Sequence, residues 1–266
     1  MKIKDLSILI LFVLVVITIA EFIGFQSFTI AGLTFNFLPL VFALVITMGL
    51  GIKAFRHGLI QKIYSESNIH FSSNYMIIIM LPLLARYGAD VAPKLHEILS
   101  IGWVFLLQEL GNLGTVLIGL PIAILLGLRQ EAIGSTLGIG REGELAYISE
   151  KYTLDSPQGR GVLSQYIFGT LFGAMFYSIV APIFLNLGFS IESLSMASGV
   201  GSASMMAAAS SSLTATIPDH ADTISAYASA SQLLTSFLGT FTMLFLAVPL
   251  QRRLYKLLTR KDPDHE

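Results

Sequence analysis

Long apolar runs separated by short polar stretches dominate this chain. Six runs approach the roughly 20 residues that a helix needs to cross a hydrocarbon core of about 30 Å: residues 7–25, 36–52, 74–89, 98–128, 162–187 and 223–248. The fourth is too long for a simple span, and Gly111, Gly114, Gly119 and Pro121 punctuate it. It predicts one kinked or broken crossing whose first part is an interfacial helix. The first two runs predict a helical pair joined by Gly24 to Asn36, and a basic loop from Lys53 to His70 follows them.

Two stretches fit neither the spans nor ordinary loops. Residues 130–152 open with small residues, reach Gly138-Ile-Gly140 and then carry Arg141, Glu142 and Glu144. Residues 193–215 have the same length and consist almost wholly of Ser, Ala, Gly and Met. A shift of 61 positions lays Gly138 on Gly199, Pro157 on Pro218, Ser164 on Ser225 and Tyr166 on Tyr227. Each copy leads into a span, a pattern that transporters built on internal repeats use. Because one crossing separates the copies, the second enters from the opposite face.

The predicted fold is therefore an all-α polytopic membrane protein. It has about six transmembrane helices plus two oppositely oriented re-entrant hairpins in an inverted repeat. Residues 1–107 form scaffold and oligomerisation helices, 108–250 a transport-like region with hairpins at 130–152 and 193–215, and 251–266 a cytoplasmic tail. A small-residue packing helix is the simpler reading of 193–215, although the three charges of the first copy suit it poorly.

Composition agrees with the membrane reading. Of 266 residues, 54% are hydrophobic and 12% charged, with a mean hydropathy of +0.73, too few charges to cover a soluble domain of this size. Absence of cysteine removes thiol catalysis, disulfides and zinc–thiolate sites. Basic residues fix the orientation. With the N-terminus cytoplasmic, Lys2, Lys4, Lys53, Arg56, Lys62, Arg129, Arg141, Lys151, Arg160 and the tail from Arg252 to Lys261 fall inside, leaving Arg86 and Lys94 as exceptions. Leu6 to Ala20 is read as the first span and not as a cleaved signal, since Glu21-Phe22 is a poor cleavage site.

Glu109, flanked by Gln108 and Asn112 within apolar sequence, is the sharpest candidate. An acid inside the hydrocarbon region is costly unless paired, protonated or hydrated, so it is a functional hypothesis by default. Glu109 with Asn112 could bind a cation or exchange a proton; if the crossing starts near Leu113, Glu109 is interfacial. Arg141 offers a planar donor fork for a carboxylate, and Glu142 and Glu144 balance it or bind a coupling cation. These three are equally readable as loop charges. Gly138, Gly140, Gly199 and Gly201 supply tight turns and backbone ligands, Ser198, Ser202 and Ser204 hydroxyls, and Gln165 a polar group on the following span. Asp219-His220-Ala-Asp222 reads as a helix cap rather than a metal site. No Ser-His-Asp arrangement, HExxH motif, phosphate loop or basic nucleic-acid surface is present.

The run Ala132-Ile-Gly-Ser-Thr-Leu-Gly-Ile-Gly-Arg-Glu-Gly-Glu, followed by Gln165-Tyr-Ile-Phe-Gly-Thr-Leu-Phe-Gly-Ala, resembles the corresponding region of LrgB-type membrane proteins and, more distantly, 2-hydroxycarboxylate symporters. The complete chain resembles an uncharacterised family of prokaryotic integral membrane proteins carrying a domain of unknown function. These resemblances imply a mobile unit of two hairpins working against the early helices, in a prokaryotic cytoplasmic membrane, with Gly138 to Glu142 and Gly199 to Ser204 as hairpin tips. The chain is shorter than the larger carriers, and dimerisation through its N-terminal helices would complete its scaffold.

The expected function is secondary transport of a small organic anion coupled to a proton or sodium ion, with no enzyme activity, cofactor or resident metal. The alternative is an LrgB-like non-catalytic component of envelope or lysis control. A purely structural membrane protein is a third reading, and an intramembrane enzyme lacks a recognisable nucleophile or acid pair.

Overall fold

A computed structural model describes residues 3–30, 33–37, 39–138, 141–199 and 201–262. The chain is mostly α-helical, and among the described residues three helices are long and apolar enough to cross a membrane: Leu6–Ile23, Gly102–Leu125 and Pro218–Thr259. Two compact units divide at Tyr87/Gly88, well before the expected boundary at residue 107.

In the first unit, α1 (Ile3–Ile23) packs on α2 (Pro39–Gly51). Between them lies an element that the apolar pattern did not predict, an antiparallel hairpin of β1 (Gln26–Ile30) and β2 (Leu33–Phe37) with Gln26 opposite Phe37. Its alternation of Phe, Thr and Ile is strand-like, but at five residues per strand it is hidden inside a stretch read as a loop. The basic connection is ordered by Tyr64 of the turn after α3 (Leu59–Ile63). The Tyr64 hydroxyl donates to the Thr47 carbonyl, its ring meets Phe12 edge-on at 6.0 Å, and Arg56 lies 5.5 Å over it. Helix α4 (Glu66–Val91) follows.

The second unit holds the repeat. After α5 (Leu95–Ser100), the chain breaks at Ile101 and enters α6 (Gly102–Gly111). The chain thus breaks at Ile101, near the start of the 98–128 run, and is interrupted again by a turn at Asn112–Leu113, directly after Gly111. Beyond Gly111 the helix widens into a π-helical turn, Thr115–Gly119, and closes as α7 (Leu120–Leu125). Next comes the first helix–break–helix segment, α8 (Glu131–Thr136) and α9 (Arg141–Tyr152). A continuous helix follows: α10 (Pro157–Phe168), the π-turn Gly169–Gly173 and α11 (Ala174–Asn186). The second such segment is α12 (Ile191–Ser198) and α13 (Ala203–Thr216). The last helix comprises α14 (Ala221–Thr242), the π-turn Met243–Ala247 and α15 (Val248–Thr259).

Packing partners fix the course of each pair of short helices. Ala132 and Ile133 of α8 pack with Ala123, Val162 and Tyr255, while Leu137, just beyond α8, packs with Val116, Met243 and Ala247. The chain therefore travels inward, from the end of the last helix toward its middle. On the way back, Gly143 faces Thr240 and Met243, and Ile148 rejoins the Tyr255 cluster. In the second pair, Leu194 packs with Ile224, Met196 with Ala226 and Tyr227, and Gly199 lies against the Ala228 carbonyl and Ser231. The return arm starts with Met205 against Gly173, continues with Ser212 donating to the Ser178 carbonyl at 2.5 Å, and ends with Leu213 beside Ala181 and Ile224. Both segments are hairpins, one on the α10 end and the other on the α11 end of the same long helix.

Glycines make this closeness possible. A side chain at Gly134 would strike the Gln158 carbonyl, and one at Gly161 the Glu131 carbonyl, so α8 and α10 meet backbone to backbone. Ser156 caps α10 by accepting from the Gly159 N–H at 2.9 Å, with Pro157 at the first helical position. In the other copy His220 precedes α14 with no side-chain cap. Asp219 falls in a short 3₁₀ turn and Asp222 in the first turn of α14, so the expected aspartate cap does not form. Residues 251–259, expected as part of a tail, are helical because the buried Gln251 and Tyr255 belong to the first hairpin's packing.

Gly134→Ala should lower the unfolding free energy in detergent by about 1–3 kcal/mol, the usual range for forced overpacking. Gly111→Ala, where an added methyl meets nothing within 4 Å, should leave the melting temperature within a degree or two.

Candidate functional site

Glu109 lies within the helix Gly102–Leu125, one of those long and apolar enough to cross a membrane, and is only 5% exposed, so its carboxyl is inside the protein. Burying such a group without partners costs several kcal/mol, and three donors meet it here. Thr235 donates to Oε1 at 2.8 Å, Asn112 Nδ2 to Oε2 at 3.2 Å and Thr242 to Oε2 at 3.4 Å. Among the described residues no cation is paired with it. One turn away, Gln108 and Ser231 exchange hydrogen bonds at 2.6 and 2.9 Å.

The two hairpin tips reach this cluster through one intermediary each. Gly138 adopts a left-handed φ of 57°, and its backbone is pressed against Thr115. The Thr115 hydroxyl contacts the Leu137 carbonyl at 3.4 Å and the Asn112 carbonyl at 3.0 Å. Thr115 starts the π-turn, a distortion that often marks functional positions in helices. At the other tip Gly199 lies on Ser231 and the Gln232 N–H, and Ser231 is the residue paired with Gln108. The Gln232 side chain, 7% exposed, has a buried carbonyl oxygen that no described donor reaches.

The other sequence-derived candidates are distributed as follows. Arg141 and Glu142 open α9 beside the first tip, but their side chains lie outside the described residues, as does Gly140 altogether. Glu144 is fully buried in α9. Ser198 is buried with its hydroxyl donating to the Leu194 carbonyl at 2.8 Å. The Ser202 and Ser204 hydroxyls are 3.2 Å apart where α13 begins, and Gly201 has a φ of 95°. Gln165 lies on α10, its side-chain oxygen buried without a described donor. Sequence reading missed Thr235, Thr242 and Ser231 as partners of the α6 amides and acid. Their spacing of four and then seven residues puts them on one helical face, which is the signal that could have found them.

A cleft of about 510 Å³ opens between α6, α12 and α14. Gln108, Gly111 and Asn112 line it on one side, Glu192 and Ala197 on another, and Tyr227 on the third. The Tyr227 hydroxyl donates to Glu97 Oε1 at 2.7 Å, and Lys94 contacts Oε2 at 3.1 Å. These two contacts, the tyrosine first, hold the Glu97 carboxyl below the usual range. A second, nearly all-apolar cavity of about 330 Å³ lies between α11, α12 and α13.

The model of the family described as "Protein of unknown function (DUF3100)" matches residues 18–257. The chain belongs to this family. The DUF3100 match covers both hairpins and every helix that contributes to the Glu109 cluster, and it connects the chain with neither LrgB-type proteins nor 2-hydroxycarboxylate symporters. No curated protein and no solved structure matches the chain.

Thr235→Val keeps the shape of the side chain while removing the shortest donor to Glu109. It should destabilise the protein by about 1–3 kcal/mol, the range for leaving a buried acceptor without its donor, read as a lower melting temperature. The double variant Glu109→Gln/Thr235→Val should lose less than the sum of the two single changes.

Proposed function

We propose that this DUF3100 member is a secondary transporter of a small organic anion, coupled to a proton or sodium ion through Glu109. The observation that carries the reading is the meeting of two hairpins, docked on opposite ends of one long helix, beside a buried carboxylate. In a membrane, irregular backbone at depth persists only where protein or water surrounds it. Opposed hairpins of this kind provide a central site that each face reaches in turn.

In this reading the chain crosses the membrane six times and both hairpins are re-entrant. The ends of α9 and α15, with Lys151, Arg252, Arg253 and Lys256, lie at the cytoplasmic face together with both termini. Arg141 at the first tip and the backbone N–H groups of the second bind the anion's carboxylate. Asn112 serves Glu109 in ion coupling, and a second copy of the chain docks on the N-terminal helices.

Two measurements test this. In vesicles containing the purified protein, an imposed proton or sodium gradient should drive uptake of at least one labelled mono-, di- or tricarboxylate. Glu109→Gln should abolish the gradient dependence, and Arg141→Gln should reduce uptake at least about tenfold, the loss of one charge-assisted pair. Uptake that ignores both substitutions would sink the assigned roles. In the cysteine-free chain, single cysteines at positions 138–144 should react with impermeant reagents from the cytoplasmic side and those at 199–204 from the other. Reaction of the two ends of either segment from opposite sides would make it a full crossing.

A further inference from the structure

We infer that the cleft between α6, α12 and α14 is the access path of a small inorganic cation to Glu109, separate from the route of the organic anion. This rests on the transport reading and specifies which solute uses which opening. The charge of the lining decides the matter. Among the described residues, Glu192 is its one charged side chain, and no described lysine, arginine or histidine lines the wall. Lys94 is paired with Glu97, which also accepts from the hydroxyl of the lining residue Tyr227. At the inner end Asn112 lines the cleft and donates directly to the Glu109 carboxylate. An entering anion would therefore pass one carboxylate and approach a second, in surroundings where low-dielectric walls concentrate the field. A cation meets attraction at the mouth and a ready oxygen ligand at the floor.

The remaining lining suits a small, mobile ion. Gln108 has its amide committed to Ser231, and Ile101, Val104 and Met196 provide apolar walls that hold a charged solute weakly. Conduction needs such a balance between entry and release. Of the two tips proposed to hold the anion, the one that carries Arg141 belongs to the other hairpin, which docks at the opposite end of the long helix, and the cleft lines α12 only as far as Ala197, short of the second tip at Gly199.

Gly111→Cys puts a thiol on the wall of the cleft, at a position where an added side chain meets open space. Ala197→Cys on the facing helix is the second probe. Trimethylammonioethyl and sulfonatoethyl methanethiosulfonates, similar in size and opposite in charge, are applied to intact vesicles from the Glu192 side, and each rate is normalised to that with a free thiol. The cationic reagent should react about tenfold faster than the anionic one, and Glu192→Gln should shrink the ratio at least about threefold, as focused fields of a few kT require. An equal or faster anionic rate, or no modification of either cysteine, overturns the inference. The outcomes separate from those of the transport reading. Charge preference without any gradient-driven uptake would fault transport and leave the cation cleft; gradient-driven uptake with anion preference would fault the cleft alone.

Discussion

Polar backbone held inside apolar surroundings must find partners within the protein, and the second unit is organised around that requirement. Each hairpin interrupts its helix at a tip where the normal backbone ladder ends. The chain answers by bringing the tips within backbone distance of continuous helices: Gly138 against Thr115, Gly199 against Ala228 and Ser231. Only residues without a side chain permit that approach. Gly134 and Gly161 do the same between α8 and α10, where an added side chain would strike the facing backbone.

The same requirement explains why the polar cluster lies where it does. Glu109 is tolerated in an apolar helix because α14 supplies Thr235 and Thr242 and α6 itself supplies Asn112. The hairpin tips then rest on the residues next to this cluster, which links the position of each tip to the hydrogen bonding of one carboxylate. A change in protonation or ion occupancy at Glu109 would alter the acceptor that the Asn112 amide meets and, through Thr115, whose hydroxyl donates to the Asn112 carbonyl, the seat of the first tip. This is a physical basis for the proposed coupling, since both sites bias one shared set of contacts.

Much of this organisation was legible in the chain. The shift that lays Gly138 on Gly199 also lays α8 on α12 and α9 on α13, because a repeated pattern of small residues and breakers encodes the same local backbone twice. The interior acid stood out because a charge within an apolar run has few structural uses. Other features were hidden for identifiable reasons. The β-hairpin at 26–37 rests on five-residue strands that hydropathy averaged over a membrane-length window erases. The break at Ile101 carries no glycine or proline at its own position. Residues 251–259 seemed a basic tail because their charges mask Gln251 and Tyr255, whose burial depends on a hairpin more than a hundred residues earlier in the chain.

The sequence by itself determined the helical class, the doubled break-and-helix pattern and the presence of an acid within an apolar run, because all of these are properties of neighbours along the chain. Tertiary structure alone decided which residues satisfy that carboxylate, which end of the long helix each hairpin occupies, and that a cleft with an acidic mouth reaches Asn112. Those outcomes depend on side chains separated by more than a hundred positions, such as Glu109 and Thr235. No local pattern specifies such pairings; they arise only when the helices pack and most buried polar groups find a donor or acceptor.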